Sequence, residues 1–198
     1  SVFSPVSIFA NAGPDIELCL GSITTLAAND PALIQSTAVG GWVQLNGPTN
    51  LIFNNPVQNN TNVSNLQQGT YQLLWTVSNA NCPVEIDTVQ IVNYEAATAD
   101  AGGDQAICLG DPLTLQGNDI ASLGASGSAS WSQLAGPTNA LFANPNLYNT
   151  AVANLSAGSY VFSWRVNNGT CPSDSDAIAV TVVDLQNNGI VNSILPDS

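Results

Sequence analysis

Four cysteines are the residues best equipped for chemistry in this 198-residue chain: Cys19, Cys82, Cys108 and Cys171. None forms a Cys-x-x-Cys pair, and their wide spacing is unlike the clustered ligands of a zinc site. An even count at matched spacing reads instead as two disulfides, and therefore as an oxidising compartment. The rest of the catalytic repertoire is thin. The chain has no His, no Lys and no Met, and its single basic residue is Arg165. His and Lys are the usual bases and nucleophile activators. Without them, acid–base work would fall to a carboxylate pair. Asp174 and Asp176 are close in sequence, but they flank the start of a predicted strand and read as solvated. No enzymatic activity is expected.

The charge balance excludes further classes. Fourteen acidic residues against one basic give a formal net charge of −13. A nucleic-acid partner needs Lys or Arg to neutralise phosphates, and an anionic membrane surface would repel this chain. No apolar run is long enough for insertion into a membrane. Organic cofactors are not expected. Calcium is the one ion the composition could serve, because it takes six to eight hard oxygens. Glu95, Asp100 and Asp104 cluster in sequence, as do Asp15 and Glu17, but no dense Asp-x-Asp-x-Asp-Gly run is present, and solvated acidic turns are the competing reading.

The elements that position these residues follow from an internal repeat. A shift of 89 residues places Cys19 on Cys108, Cys82 on Cys171, Trp42 on Trp131 and Trp75 on Trp164. Gly47-Pro48-Thr49-Asn50 matches Gly136-Pro137-Thr138-Asn139 letter for letter. Of the 81 positions from Ala12 to Val92, 34 are identical to their counterparts without a gap. The two halves therefore share one fold.

Each copy reads as all-β, with short apolar runs separated by Gly, Pro, Asn and Asp clusters. The clearest strand is 70–78, where Tyr71, Leu73, Trp75 and Val77 alternate with polar or mixed neighbours. Its counterpart carries Tyr160, Phe162, Trp164 and Val166. Period two places each set on one face, assigned to the core. Val89, Ile91, Ile178, Val180 and Val182 belong to last strands, and Leu26, Leu113 and Leu115 to early ones. Trp42 and Trp131 fall on a middle strand, where a sandwich buries a Trp, so the four Trp read as core and not as a carbohydrate platform. Leu66, Gly69 and Tyr71, repeated as Leu155, Gly158 and Tyr160, suit a tyrosine corner. The same map predicts disulfides Cys19–Cys82 and Cys108–Cys171, one within each copy; pairing across the copies is the alternative.

The pattern Ala-Gly-x-Asp…Cys-Leu-Gly…Trp-x-Gln-Leu-x-Gly-Pro…Asn-Pro…Asn-Leu…Gly-x-Tyr-x-x-x-Trp-x-Val…Cys-Pro runs from Ala12 to Pro83 and again from Ala101 to Pro172. It resembles the PKD-like, immunoglobulin-like repeats of very large cell-surface proteins from Bacteroidota. The resemblance implies two tandem β-sandwich domains, 11–93 and 94–185. Residues 1–10 read as the end of a preceding domain or a linker, and 186–198 as a linker to a following one. It further implies an extracellular, cell-surface or secreted location and a structural or adhesive role, as a rigid disulfide-stapled spacer. Partners would be neighbouring repeats of the same chain, other copies packed laterally in a filament, and cell-surface glycans or proteins. The alternative is a glycan- or protein-ligand-binding module. Asp87-Thr88-Val89 also fits the Asp-Ser/Thr-hydrophobic pattern of O-glycosylation in these organisms, making Thr88 the candidate acceptor; the second copy has Asp176-Ala177-Ile178 and lacks the hydroxyl.

Overall fold

A computed structural model describes residues 7–80 and 82–185. The expected linker at 186–198 and most of that at 1–10 lie outside the described residues. The chain divides into two compact units, Ser1–Ala96 with Gly169–Cys171, and Ala97–Asn168 with Pro172–Ser198.

Unit 1 begins with strands β1 (Ile16–Cys19) and β2 (Ile23–Thr25), then a single helical turn, α1 (Pro31–Ile34), and β3 (Val39–Asn46). It continues with β4 (Ile52–Phe53), β5 (Asn62–Ser64), β6 (Gly69–Asn79) and β7 (Cys82–Tyr94). One sheet has the order β1-β7-β6-β3 and the other β2-β5-β4. The apolar alternation of β6 buries Tyr71, Leu73, Trp75 and Val77 completely, against Leu26, Val63 and Leu66 from the second sheet and its loops. Leu26 sits just past β2, where its N–H donates to the carbonyl of Thr61 at 2.9 Å. This is a β-sandwich of immunoglobulin type, as expected from the pattern of short alternating strands.

Unit 2 repeats the plan with β8 (Gln105–Cys108), β9 (Leu113–Gln116), β10 (Gly127–Ala135), β11 (Leu141–Phe142), β12 (Asn149–Ala153), β13 (Gly158–Asn168) and β14 (Asp174–Val183). Its sheets are β10-β13-β14-β8 and β11-β12-β9. A 3₁₀ segment over Ala121–Ser126 takes the place of α1. In each unit the two Trp face each other across the middle strands, Trp42 with Trp75 and Trp131 with Trp164, with ring centroids 4.9 and 5.1 Å apart.

One pairing was invisible in the apolar pattern. The first strand of each unit runs parallel to the last: Ile16 opposes Ile91 and Cys19 opposes Tyr94, while Gln105 opposes Val180 and Cys108 opposes Val183.

The tyrosine corners are present in both units. Tyr71 Oη accepts the Gln67 N–H at 2.7 Å and lies 2.9 Å from Thr49 Oγ1. Tyr160 Oη accepts from Ser156 N–H at 2.9 Å and lies 2.7 Å from Thr138 Oγ1. Desolvation raises the Tyr160 pKa, but the bonds to Ser156 and Thr138 together outweigh it and hold the phenol below its ordinary value. The Gly-Pro-Thr-Asn motif serves the corner. A Cβ on Gly47, whose φ is +151°, would lie 2.2 Å from the Tyr71 ring. Tyr71→Phe leaves the Gln67 N–H without its partner, and should lower the stability of unit 1 by about 1–3 kcal/mol. Chemical denaturation, with unit 2 as internal reference, measures this; a neutral result would show that the corner is decorative.

Candidate functional site

The cysteines are the first feature to place. Cys19 closes β1 beside Tyr94, the last residue of β7, and is bonded to Cys171, with an S–S distance of 2.10 Å and Cα atoms 4.9 Å apart. Cys82 and Cys108 carry half-buried free thiols. The expected pairs Cys19–Cys82 and Cys108–Cys171 are therefore corrected, and the reason is the parallel pairing. Cys19 lies at the C-terminal end of β7, whereas Cys82 opens that strand at its other end. At about 3.3 Å per residue, those ends are ~40 Å apart, against the ~4.4–6.8 Å between Cα atoms that a disulfide allows. The same holds in the second copy of the repeat, where Cys108 opposes Val183 at the end of β14 and Cys171 precedes the start of that strand at Asp174.

Around the bond, Gly169 packs so tightly on Tyr94 that an added Cβ would meet the ring at 2.4 Å, and Cys171 Sγ lies 3.3 Å from the carbonyl oxygen of Glu95. Tyr94 donates its hydroxyl proton to Glu17 Oε1 at 3.3 Å. Desolvation first, then the charge and hydrogen bond of Glu17, hold this phenol above its ordinary pKa.

The three aspartates weighed as calcium ligands accept hydrogen bonds from the backbone. Asp15 Oδ1 accepts from Gln90 N–H at 2.8 Å, and its counterpart Asp104 accepts from Ala179 N–H at 2.9 Å. Asp100 Oδ1 accepts from Gly102 N–H at 2.9 Å. Among the described residues, no three His, Cys, Asp or Glu side chains gather as a metal site.

The sequence reading missed a set of carboxylate anchors. Asp87 Oδ2 accepts from Ala12 N–H at 2.8 Å, and Asp176 Oδ2 from Ala101 N–H at 2.8 Å, so each fastens the opening Ala-Gly of its repeat to the last strand. The identity of both Asp across the repeat was the signal. Asp87 thus has a role that does not need the hydroxyl of Thr88, since Asp176 performs it beside Ala177. Thr88 itself is exposed on β7, in register with Leu74 of β6.

The Trp side chains are core. Trp75 and Trp164 are fully buried, and their indole N–H groups donate to Asn29 and Asn118 Oδ1 at 3.1 and 3.0 Å. Among the described residues, the exposed aromatics are Phe9 in one unit and Tyr148 in the other, which is no stacking platform. A recess in unit 1 between Asp30, Ala38, Val39 and Asn55 holds one carboxylate, and Asp30 spends it capping α1 through Ala32 N–H. Unit 1 also exposes Val39, Val43 and Leu45 on the outer face of β3, and Ile86 on that of β7; the β3 positions become Ser128, Ser132 and Leu134 in unit 2.

These geometries can be set beside known proteins. None of the curated proteins matches the chain. Among solved structures, it is similar to immunoglobulin domains 1–4 of Sidekick-1, with 10% identity and a TM-score of 0.63 over 89% of this chain and 49% of that one. The chain thus spans about half the length of that relative. It is similar also to murine CEACAM1b, at 12% identity and TM-score 0.54, over 89% of this chain and all of the other. A PKD domain from the KIAA 1837 protein matches at 25% identity over 52% of this chain and 94% of its own, with a TM-score of 0.37. At these identities the immunoglobulin likenesses speak to fold alone. The family model described as "K319L-like, PKD domain" matches twice, at residues 12–92 and 101–182, on the two copies of the 89-residue repeat, and the chain belongs to that family.

Proposed function

We propose that this chain is a pair of structural and adhesive repeats from a large extracellular surface protein or appendage filament, acting as a rigid disulfide-stapled spacer. One observation carries the reading: the polar and aromatic motif residues common to both copies, the cysteines apart, are spent on holding the sandwich. Gln44 and Gln133 illustrate it. Each donates its amide N–H to the carbonyl of Thr49 or Thr138 at 2.7 Å, and each accepts a backbone N–H from Leu51 or Ala140 at 2.7 or 2.8 Å. The Trp pairs, the tyrosine corners and the Asp anchors are spent in the same way, and a ligand-binding module would keep some shared residues for its ligand. The disulfide supports an oxidising, extracellular setting. Within this reading, exposed Thr88 is the residue offered for O-glycosylation, and the partners are neighbouring repeats.

Antibodies raised against the chain should label the outside of intact producing cells, at intervals along a surface structure. The purified chain should show no saturable binding on a glycan array. Label confined to the cell interior would overturn the spacer reading, and saturable glycan binding would replace it with the ligand-module alternative.

A further inference from the structure

The bond Cys19–Cys171 joins two kinds of cysteine. Cys19 is a strand-end cysteine, at the close of the first strand and opposite the end of the last. Cys171 is a loop cysteine, in the turn that enters the last strand. The 89-residue repeat makes Cys108 the counterpart of Cys19, and Cys82 the counterpart of Cys171. Cys108 closes its strand as Cys19 does, whereas Cys82, the counterpart of Cys171 in the repeat, is the first residue of β7 and pairs with Asn79; neither free thiol can reach a cysteine of its own sandwich.

We propose that Cys108 and Cys82 are complementary half-sites, and that Cys108 of one chain is bonded to Cys82 of a second copy in a head-to-tail disulfide.

Cys108 is held as Cys19 is held. Leu109 N–H donates to the carbonyl of Val183 at 2.8 Å, just as Leu20 N–H donates to that of Tyr94 at 2.9 Å. Beside Cys108 lies a surface recess lined by Leu109, Val183, Asp184 and Leu185. Tyr94, against which the Cys171 loop rests, corresponds to Val183 at the edge of that recess. The side chains trade volume accordingly. Gly169 of the Cys171 loop meets the large Tyr94 ring, and its counterpart in the Cys82 loop is Ala80, which would meet the smaller Val183. A methyl group added on one side is matched by an aromatic ring removed on the other. Because the two half-sites differ, the contact is heterologous and propagates from chain to chain.

A small disulfide such as oxidised glutathione supplies the oxidant. The Cys82 thiolate attacks its S–S bond, forming a mixed disulfide and releasing one glutathione thiolate. The Cys108 thiolate of the second chain then attacks the Cys82 sulfur, forming the interchain bond and releasing the second glutathione. Two protein thiols are oxidised, one glutathione disulfide is reduced to two thiols, and the two protons pass to the glutathiones.

The test uses the whole chain with its Cys19–Cys171 bond intact. Incubated at high concentration with oxidised and reduced glutathione, then alkylated, it should give a ladder of multimers on a non-reducing gel that collapses with dithiothreitol. Mapping should recover Cys82 linked to Cys108, with no variant required. C82S or C108S alone should cut the multimer fraction at least tenfold, and an equal mixture of the two should restore dimers and nothing larger. Circular dichroism confirms that each variant is folded. Persistent monomer, Cys82–Cys82 or Cys108–Cys108 links, an intrachain Cys82–Cys108 bond, or exchange to Cys19–Cys82 would each overturn the proposal. The inference rests on the array reading, but a missing ladder leaves the surface labelling unchanged, so the two fail separately.

Discussion

Replacing Trp75 by alanine should destabilise unit 1 by about 3–5 kcal/mol, the range for removing a large aromatic side chain from a core. The ring is fully buried, packs at a tilt against Trp42 with centroids 4.9 Å apart and gives its N–H to Asn29. Gly40 leaves room for it, since a Cβ there would stand 2.2 Å from the indole. Removal therefore opens a cavity, and it also disturbs Asn29, whose Oδ1 accepts from Asn11 N–H and whose amide donates to the carbonyl of Phe9. A domain of this size has a net stability of only about 5–15 kcal/mol, so unit 1 should approach its unfolding threshold while unit 2 is little changed. Trp164→Ala should mirror the result in unit 2. Denaturant titration of the chain, resolved into two transitions, reads both values, and a loss under about 1 kcal/mol would be incompatible with a core ring.

The second large effect is mechanical. The residues joined by the disulfide are separated by 152 positions in sequence. Stretched from its two ends under oxidising conditions, the chain cannot extend through that interval, because tension passes directly from Cys19 to Cys171. Reduction should release it and add ~500 Å of contour length, at about 3.3–3.6 Å per residue. Optical tweezers with handles at the termini measure this directly. Had each copy carried its own bridge, reduction would instead release two intervals of ~200 Å each, at the same rise per residue. No gain in length on reduction would refute the bond.

The comparison of sequence with structure separates two kinds of information. Alternation in 70–78 placed Tyr71, Leu73, Trp75 and Val77 inside, because period two leaves a strand no other way to bury them. The tyrosine corner was legible because it needs only local spacing, from Leu66 through Gly69 to Tyr71. The disulfide partners were not legible. They depend on whether the first strand runs parallel or antiparallel to the last, and Ile16–Cys19 has the same apolar content in either direction. The anchors Asp87 and Asp176 were hidden for a related reason: each meets a backbone N–H 75 residues away, and a main-chain donor leaves no mark on residue type. For both features, the repeat showed that the residues matter without showing what they touch.

The bond between Cys19 and Cys171 also makes the intervening polypeptide a covalent ring. A single cut anywhere in that ring opens it without separating the two ends of the chain. The one basic residue, Arg165, lies inside, on an exposed position of β13 where its guanidinium donates to Ser173. A trypsin-like protease that cleaves there would leave a nicked but continuous strand, and the break would show only after reduction. In the surface spacer proposed above, such a ring would convert proteolytic damage from loss of the chain into loss of one peptide bond.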